Sequence, residues 1–174
     1  MEHIPNSGYN SPMADFSFDI VSEIDLAELD NAINMGMKEI TTRFDFKGSI
    51  SEIKRSDKTV NLLADDDMKL RNVIDILEGK LVKRNISLKF LDYQKIDTAL
   101  GGNVKQDVII KQGLSKEKAK ELTTFIKTTK LKVNAQINDD KIRVSSAKKD
   151  ALQETMSALR GHDFGIELSF NNFR

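Results

Sequence analysis

Apolar and polar positions along this 174-residue chain change period several times, and the whole series of changes occurs twice. Phe16, Phe18 and Ile20 alternate with Ser17 and Asp19, the period of a half-buried strand. Leu26, Leu29, Ile33, Met37, Ile40 and Phe44 then recur at three- and four-residue spacing, which predicts a helix with one apolar stripe. Asp25 stands at its N-cap with Glu28 three positions on, the two members of a reciprocal capping box. Gly36 weakens that helix slightly. Strands are expected over 47–53 and 59–63, joined by a turn at Arg55-Ser56-Asp57-Lys58. Asp65, Asp66 and Asp67 open a second helix whose inner face is Leu70, Val73, Ile74, Leu77 and Leu81. Carboxylates at a helix start complement its dipole, so capping accounts for this triplet better than metal binding does. A short strand over 86–91 completes the first series.

After a linker over 92–103 containing Gly101-Gly102, the order returns. A strand is expected over 105–111, and a helix from Ser115 with Ala119, Leu122 and Ile126 inward. A hairpin pairs 132–137 with 141–145 across Asn138-Asp139-Asp140. A helix over 148–160 and a strand marked by Ile166, Leu168 and Phe170 finish the chain. The copies are in step: Asp19-Ile20-Val21 matches Asp107-Val108-Ile109, and Thr59-Val60-Asn61-Leu62 matches Lys141-Ile142-Arg143-Val144. Units of this length are duplicated domains rather than solenoid repeats. Each reads β-α-β-β-α-β, so the fold class is α+β: two ferredoxin-like domains, each an antiparallel sheet with both helices on one face. We expect them over 15–100 and 101–174. Residues 1–14 mix Asn, Ser, Gly and Pro without a period and read as a disordered leader, with Met13-Ala14 as a natural start.

Composition narrows the function. Cysteine is absent, so there is no disulfide framework, thiolate nucleophile or cysteine metal site, which fits a cytoplasmic protein. No apolar run reaches the roughly 18 residues of a membrane span, and the first residues lack a secretory pattern. No GxxxxGK[ST] phosphate loop occurs, and His162 follows a glycine-capped helix end as a loop residue, so neither an NTPase nor a histidine-based enzyme is supported. No cofactor is expected. Net charge is zero, yet residues 16–92 hold 12 Lys/Arg against 15 Asp/Glu while residues 104–174 hold 14 against 9. That asymmetry draws a phosphate-bearing partner to the second half.

Strand alternation says what each uncovered sheet displays. If Val133, Ala135, Ile137, Ile142 and Val144 pack under helices, Lys132, Asn134, Gln136, Lys141, Arg143 and Ser145 face outward. Three cations, two amides and a hydroxyl can hold phosphates and touch base edges, although any soluble antiparallel sheet needs a polar outer face. Outward positions on the central strands are Thr59, Asn61, Lys141 and Arg143, so the aromatic stacking usual in RNA-recognition sheets is missing. Binding should therefore rest on phosphate contacts and depend steeply on salt. The repeated acids Asp19 and Asp107 suggest a catalytic pair, but an inherited strand feature explains them more simply. A hydrolase would need a divalent site built from them or from the 65–67 run.

Several blocks together resemble the YajQ family of small bacterial proteins. These are Phe16-Ser17-Phe18-Asp19-Ile20-Val21-Ser22-Glu23, Thr42-Arg43-Phe44-Asp45-Phe46-Lys47-Gly48, Lys83-Arg84-Asn85-Ile86 with Asn85 where that family has glycine, and Lys130 through Ile137. Ile142-Arg143-Val144, Asp150-Ala151-Leu152-Gln153 and Phe170-Asn171-Asn172-Phe173-Arg174 complete the set, with Asn171 at a position where lysine is common. The resemblance implies two ferredoxin-like domains that exchange their first strands, 16–23 and 105–111. It implies a non-enzymatic nucleotide-binding protein, with RNA or transfer RNA as partner, or cyclic di-GMP sensed beside a transcription regulator. The runner-up is a protein-interaction module. It also implies phosphate contacts by Arg43, Lys47, Lys83, Arg84, Lys130, Lys132, Lys141 and Arg143, and base or sugar contacts by Asn134 and Gln136; small-ligand sites favour domain clefts, so a cleft between the domains is the expected seat for a small ligand.

Overall fold

The computed structural model describes residues 16–174, so the expected leader lies outside the described residues. The elements are β1 (Phe16–Val21), α1 (Leu26–Thr42), β2 (Glu52–Ser56), β3 (Thr59–Ala64), α2 (Asp67–Lys83) and β4 (Leu91–Thr98). They continue with β5 (Val104–Ile110), α3 (Lys116–Thr128), β6 (Asn134–Asn138), β7 (Lys141–Ser146), α4 (Lys149–Arg160) and β8 (Ser169–Asn171). The fold is α+β, with two four-stranded antiparallel sheets in the duplicated ferredoxin-like arrangement. Their strand orders are β2-β3-β5-β4 and β6-β7-β1-β8. Each sheet thus takes a central strand from the other copy, β5 in the first and β1 in the second. The compact units are accordingly 24–112, and 16–23 with 113–174. No described helix is long and apolar enough to cross a membrane.

The apolar stripes form two cores. Leu29, Ala32, Ile33 and Ile40 of α1 pack with Leu70, Val73, Ile76 and Leu77 of α2 over Val60, Leu62 and Val108 of the first sheet. Phe18 and Ile20 of β1 pack with Ile142 and Val144 of β7 beneath Leu122, Leu152, Met156 and Leu159. Gly36 serves the first core: a Cβ there would lie 3.3 Å from Ile53 Cδ1, so the missing side chain lets β2 approach α1.

Helix starts behave as the carboxylate pattern predicts, with two exceptions. Asp25 accepts from the amides of Ala27 and Glu28, and Asp66 from that of Lys69. The reciprocal half of the box is not made, because the Glu28 carboxylate instead accepts from Asn31 and pairs with Arg84. Asp65 caps nothing; it accepts from Ser49 and from the Ile50 amide, fixing the loop before β2. Asn85 takes the left-handed backbone, φ 60°, as its place in a glycine position requires.

Three expectations need correction. Phe44 does not extend the α1 stripe: the helix ends at Thr42, a single 3-10 turn follows over Phe44–Phe46, and Phe46 enters the core while Phe44 is 86% exposed. The strand expected over 47–53 starts only at Glu52, after Gly48 turns the chain at φ 75°. The last strand of the first series starts not at Ile86 but at Leu91, after a 3-10 turn at Leu88–Phe90, and runs as β4 through most of the segment expected to be a linker, with a bulge between Tyr93 and Ile96. β4 is an edge strand whose residues beyond Asp92 are half-buried or exposed, so its alternation leaves no apolar signature.

Because Phe18 is fully buried within a strand borrowed from the far end of the sequence, Phe18→Ala should cost about 3–5 kcal/mol. Native-state amide exchange checks this: protection should fall across 113–174 and be retained across 24–112.

Candidate functional site

The helix-free face of the second sheet is built by the alternation of β6, β7 and β1. Register places Gln136, Arg143, Asp19 and Asn171 in one row across four strands, with Asn134, Ser145 and Ser17 in the next. Ile142 and Val144 are fully buried on the opposite side, which fixes Lys141, Arg143 and Ser145 outward. Asn134 and Gln136 are exposed, and Lys132 stands exposed just before β6, its carbonyl accepting from Ser146 Oγ at 2.7 Å. Val133 and Ala135 pack inward, whereas Ile137, at the hairpin end of the edge strand, is 44% exposed.

Asp19 organises this face. It is only 3% exposed, and burial pushes its carboxyl up. Donation from Arg143 and Asn172, with the positive charge of Arg143 and Lys141, outweighs that and holds it below the ordinary carboxylate range. Arg143 Nε donates to Oδ1 at 3.1 Å and Asn172 Nδ2 to Oδ2 at 2.9 Å. Arg143 is therefore half committed: its Nε is taken, while its terminal nitrogens make no hydrogen bond among the described residues. Arg143→Ala would leave a buried carboxylate without its charge partner, so that variant reports on stability before binding.

The remaining expected residues fall on helix ends. In the 24–112 unit, Arg43 caps the C-terminus of α1 and pairs with Glu39 at 3.0 Å and Asp45 at 2.8 Å, its guanidinium 5.3 Å from the Phe46 ring centre. Arg43 and Lys83 line one shallow cleft of about 240 Å³ with Glu39 and Lys80, which also pair with each other. Arg84 turns away to Glu28 and the Met35 sulfur. Lys47 is exposed on the turn after the 3-10 helix. Lys130, in the other unit, ends the α3 segment with φ 57°. Of the expected set, the structure brings together Lys132, Asn134, Gln136, Lys141 and Arg143 on one face, and Arg43 with Lys83 in one cleft.

Strand exchange also redistributes charge. Residues 16–23 with 113–174 hold 12 Lys/Arg against 10 Asp/Glu, and residues 24–112 hold 15 against 15. The excess of cations in the second half of the sequence is thus largely cancelled in the folded unit, because residues 16–23 bring in Asp19 and Glu23 while residues 104–112 take out Lys105 and Lys111 along with Asp107.

The first sheet's open face holds a concavity of about 530 Å³ that the sequence reading missed. Its floor includes Lys54, Asn61, Leu63, Lys105 and Asp107, and β4 supplies a wall. Alternation in 52–56, 59–64 and 104–110 does place these residues outward; reading 92–103 as a linker hides the wall. Here Asn61 Nδ2 donates to Asp107 Oδ1 at 2.8 Å. Asp19 and Asp107 sit in different sheets, each bound to its own cross-strand neighbour. Among the described residues no group of three or more His, Asp or Glu is placed to share a metal ion, so the divalent cluster is not assembled.

A duplicated ferredoxin-like chain with exchanged central strands and polar open sheets defines a class, and comparison places the chain within it. The family described as "Nucleotide-binding protein YajQ-like" matches residues 16–174. A protein of Carboxydothermus hydrogenoformans named "Nucleotide-binding protein" is 53% identical over 163 residues, covering 92% of this chain and 99% of the relative. One of Syntrophotalea carbinolica with the same name is 54% identical over 158 residues, covering 91% and 98%. One of Desulfitobacterium hafniense, also so named, is 50% identical over 160 residues, covering 92% and 98%. This chain belongs to the YajQ family.

The Asp19 network gives a pH signature. A carboxyl held below its ordinary value contributes stability that is fully present above about pH 4, its unfolded value, and lost as pH falls through the folded one. Asp19→Asn should therefore be less stable than the parent at pH 7, with the gap narrowing below about pH 4 in urea titrations run across pH. A gap independent of pH would mean that the charge on Asp19 contributes nothing.

Proposed function

We propose that the chain acts by binding, not catalysis, and takes single-stranded RNA on the open face of the second sheet. The observation that carries this is the arrangement of Lys132, Asn134, Gln136, Lys141 and Arg143 on one helix-free surface. Lys141 opens β7 beside Asn138, and Lys132 precedes β6 near the far end, six residues along the pleat. At about 3.3 Å per residue the two lysines are roughly 20 Å apart. That span suits several successive phosphates; a cyclic dinucleotide such as cyclic di-GMP, with two phosphates, would engage only part of it. The relatives' names support nucleotides as the ligand class. Single-stranded segments of a transfer RNA meet the same chemistry.

In this reading Lys132, Lys141 and the free end of Arg143 neutralise phosphates, while Asn134 and Gln136 contact base or sugar edges. Lys130 adds a cation beyond Lys132. Arg43 and Arg84, already paired with carboxylates, are anchors of their helix ends, leaving Lys47 and Lys83 as the cations available there.

A protein-interaction role is favoured by one observation, the bare Phe44 on a turn held by Arg43, Phe46 and Lys69. The two readings separate by salt. Fluorescence anisotropy with a labelled oligoribonucleotide should give log affinity falling linearly with log salt, and Lys132→Ala with Lys141→Ala should reduce that slope by about 0.7 per lysine while the protein still melts cooperatively. An unchanged slope would remove this face as the RNA site.

A further inference from the structure

The repeated strand acid has diverged in its surroundings. Asp19 is buried with both oxygens engaged, whereas Asp107 is exposed, gives one oxygen to Asn61, and keeps Oδ2 without a partner among the described residues. Asp107 faces the 530 Å³ concavity, a volume within the range of small-ligand sites. The charged residues lining that concavity make no ion pair among the described residues, even where Lys105 and Asp97 are register partners on neighbouring strands. Opposite charges gathered in a hollow and left unpaired suit a ligand that carries both donors and an anion.

The hollow is shaped by a specific device. Gln94 and Lys95 form the bulge of β4 and both line the wall. Gln106, 8% exposed, points a buried amide at that bulge and donates to the Gln94 carbonyl at 2.7 Å, leaving its own Oε1 unsatisfied. A buried orphan acceptor is a cost, and bulges recur where a strand must re-aim side chains toward a site.

We propose that this concavity is a separate site for one nucleoside monophosphate, with Asp107 accepting from an amino-bearing base edge and Lys54 holding the phosphate. Lys54, Asn61 and Asp107 lie in one row across three strands. Two strand spacings put Lys54 about 10 Å from Asp107, close to the reach of such a ligand from base edge to phosphate. Leu63, one pleat along, offers a half-buried apolar seat for the ring. An acceptor-only carboxylate favours adenine, cytosine and guanine, whose exocyclic amino groups donate, over uracil, whose single edge donor, N3–H, is flanked by the acceptors O4 and O2. The proposal rests on the nucleotide reading above for ligand class alone; its residues belong to the other sheet.

Calorimetry on the full chain with AMP, CMP, GMP and UMP tests it. The parent should bind UMP at least about 10-fold more weakly than the amino-bearing nucleotides. Asp107→Asn should bring the four within about 3-fold, and Lys54→Ala should weaken all four about 10-fold. The Lys132→Ala, Lys141→Ala protein should keep monophosphate binding while binding RNA more weakly and with the reduced salt slope; if RNA binding proves absent in the parent yet the monophosphate pattern holds, the RNA reading falls and this one stands. No heat at millimolar monophosphate, equal affinity for UMP in the parent, or loss that follows Lys132 and Lys141 instead of Lys54 and Asp107 would overturn the proposal. Lys54, exposed on an edge strand, keeps the test open should Asp107→Asn fold poorly.

Discussion

Backbone pairing between strands far apart in sequence is the constraint on which the rest of this molecule depends. β1 hydrogen-bonds to β7 and β8 and so occupies the centre of a sheet whose other strands begin more than a hundred residues later. Without it, β8 has no neighbour, and two fully buried side chains of that sheet, Phe18 and Ile20, leave the core. β5 plays the equivalent part between β3 and β4. The chemistry of both open faces follows, since the central acid of each is carried by the borrowed strand. Arg143 is oriented by an aspartate from β1, and Asn61 by one from β5.

Duplication supplied two similar faces, and exchange furnished them differently. On the second, Arg143 and the tail residue Asn172 close around Asp19, leaving an extended, open row of cations and amides. On the first, the position matching Arg143 is Asn61, a weaker and neutral partner. Asp107 consequently stays exposed, and the bulged β4 turns an open sheet into a hollow. A flat surface suits an extended polyanion and a hollow suits a compact ligand.

The sequence made much of this legible, for physical reasons. Helical stripes such as Leu70, Val73 and Leu77 and the alternate strand positions Ile142 and Val144 face a core, and burial imposes a period. The outward set on β6 and β7 followed from the same alternation. What escaped was whatever burial does not mark. β4 has both faces largely exposed beyond its first residues, so it read as a linker. Phe44 continued an apolar spacing past the point where the backbone leaves the helix. Alternation in β1 and β5 is equally compatible with either sheet, so periodicity alone was silent on their exchange, which the family resemblance supplied. Both bonds that hold Asp19 come from far along the chain, from Arg143, 124 positions away, and from Asn172, 153 positions away, and no local pattern contains them.

The exchange also fixes an order of assembly. Residues 24–112 contain every strand of their own sheet, so that unit can close as soon as β5 is available. β1, synthesised earlier, must wait with Phe18 and Ile20 uncovered until β7 and β8 emerge. The strand made before all the others described is therefore among the last to be buried, and a chain interrupted before β7 exposes an unpaired apolar edge to its neighbours.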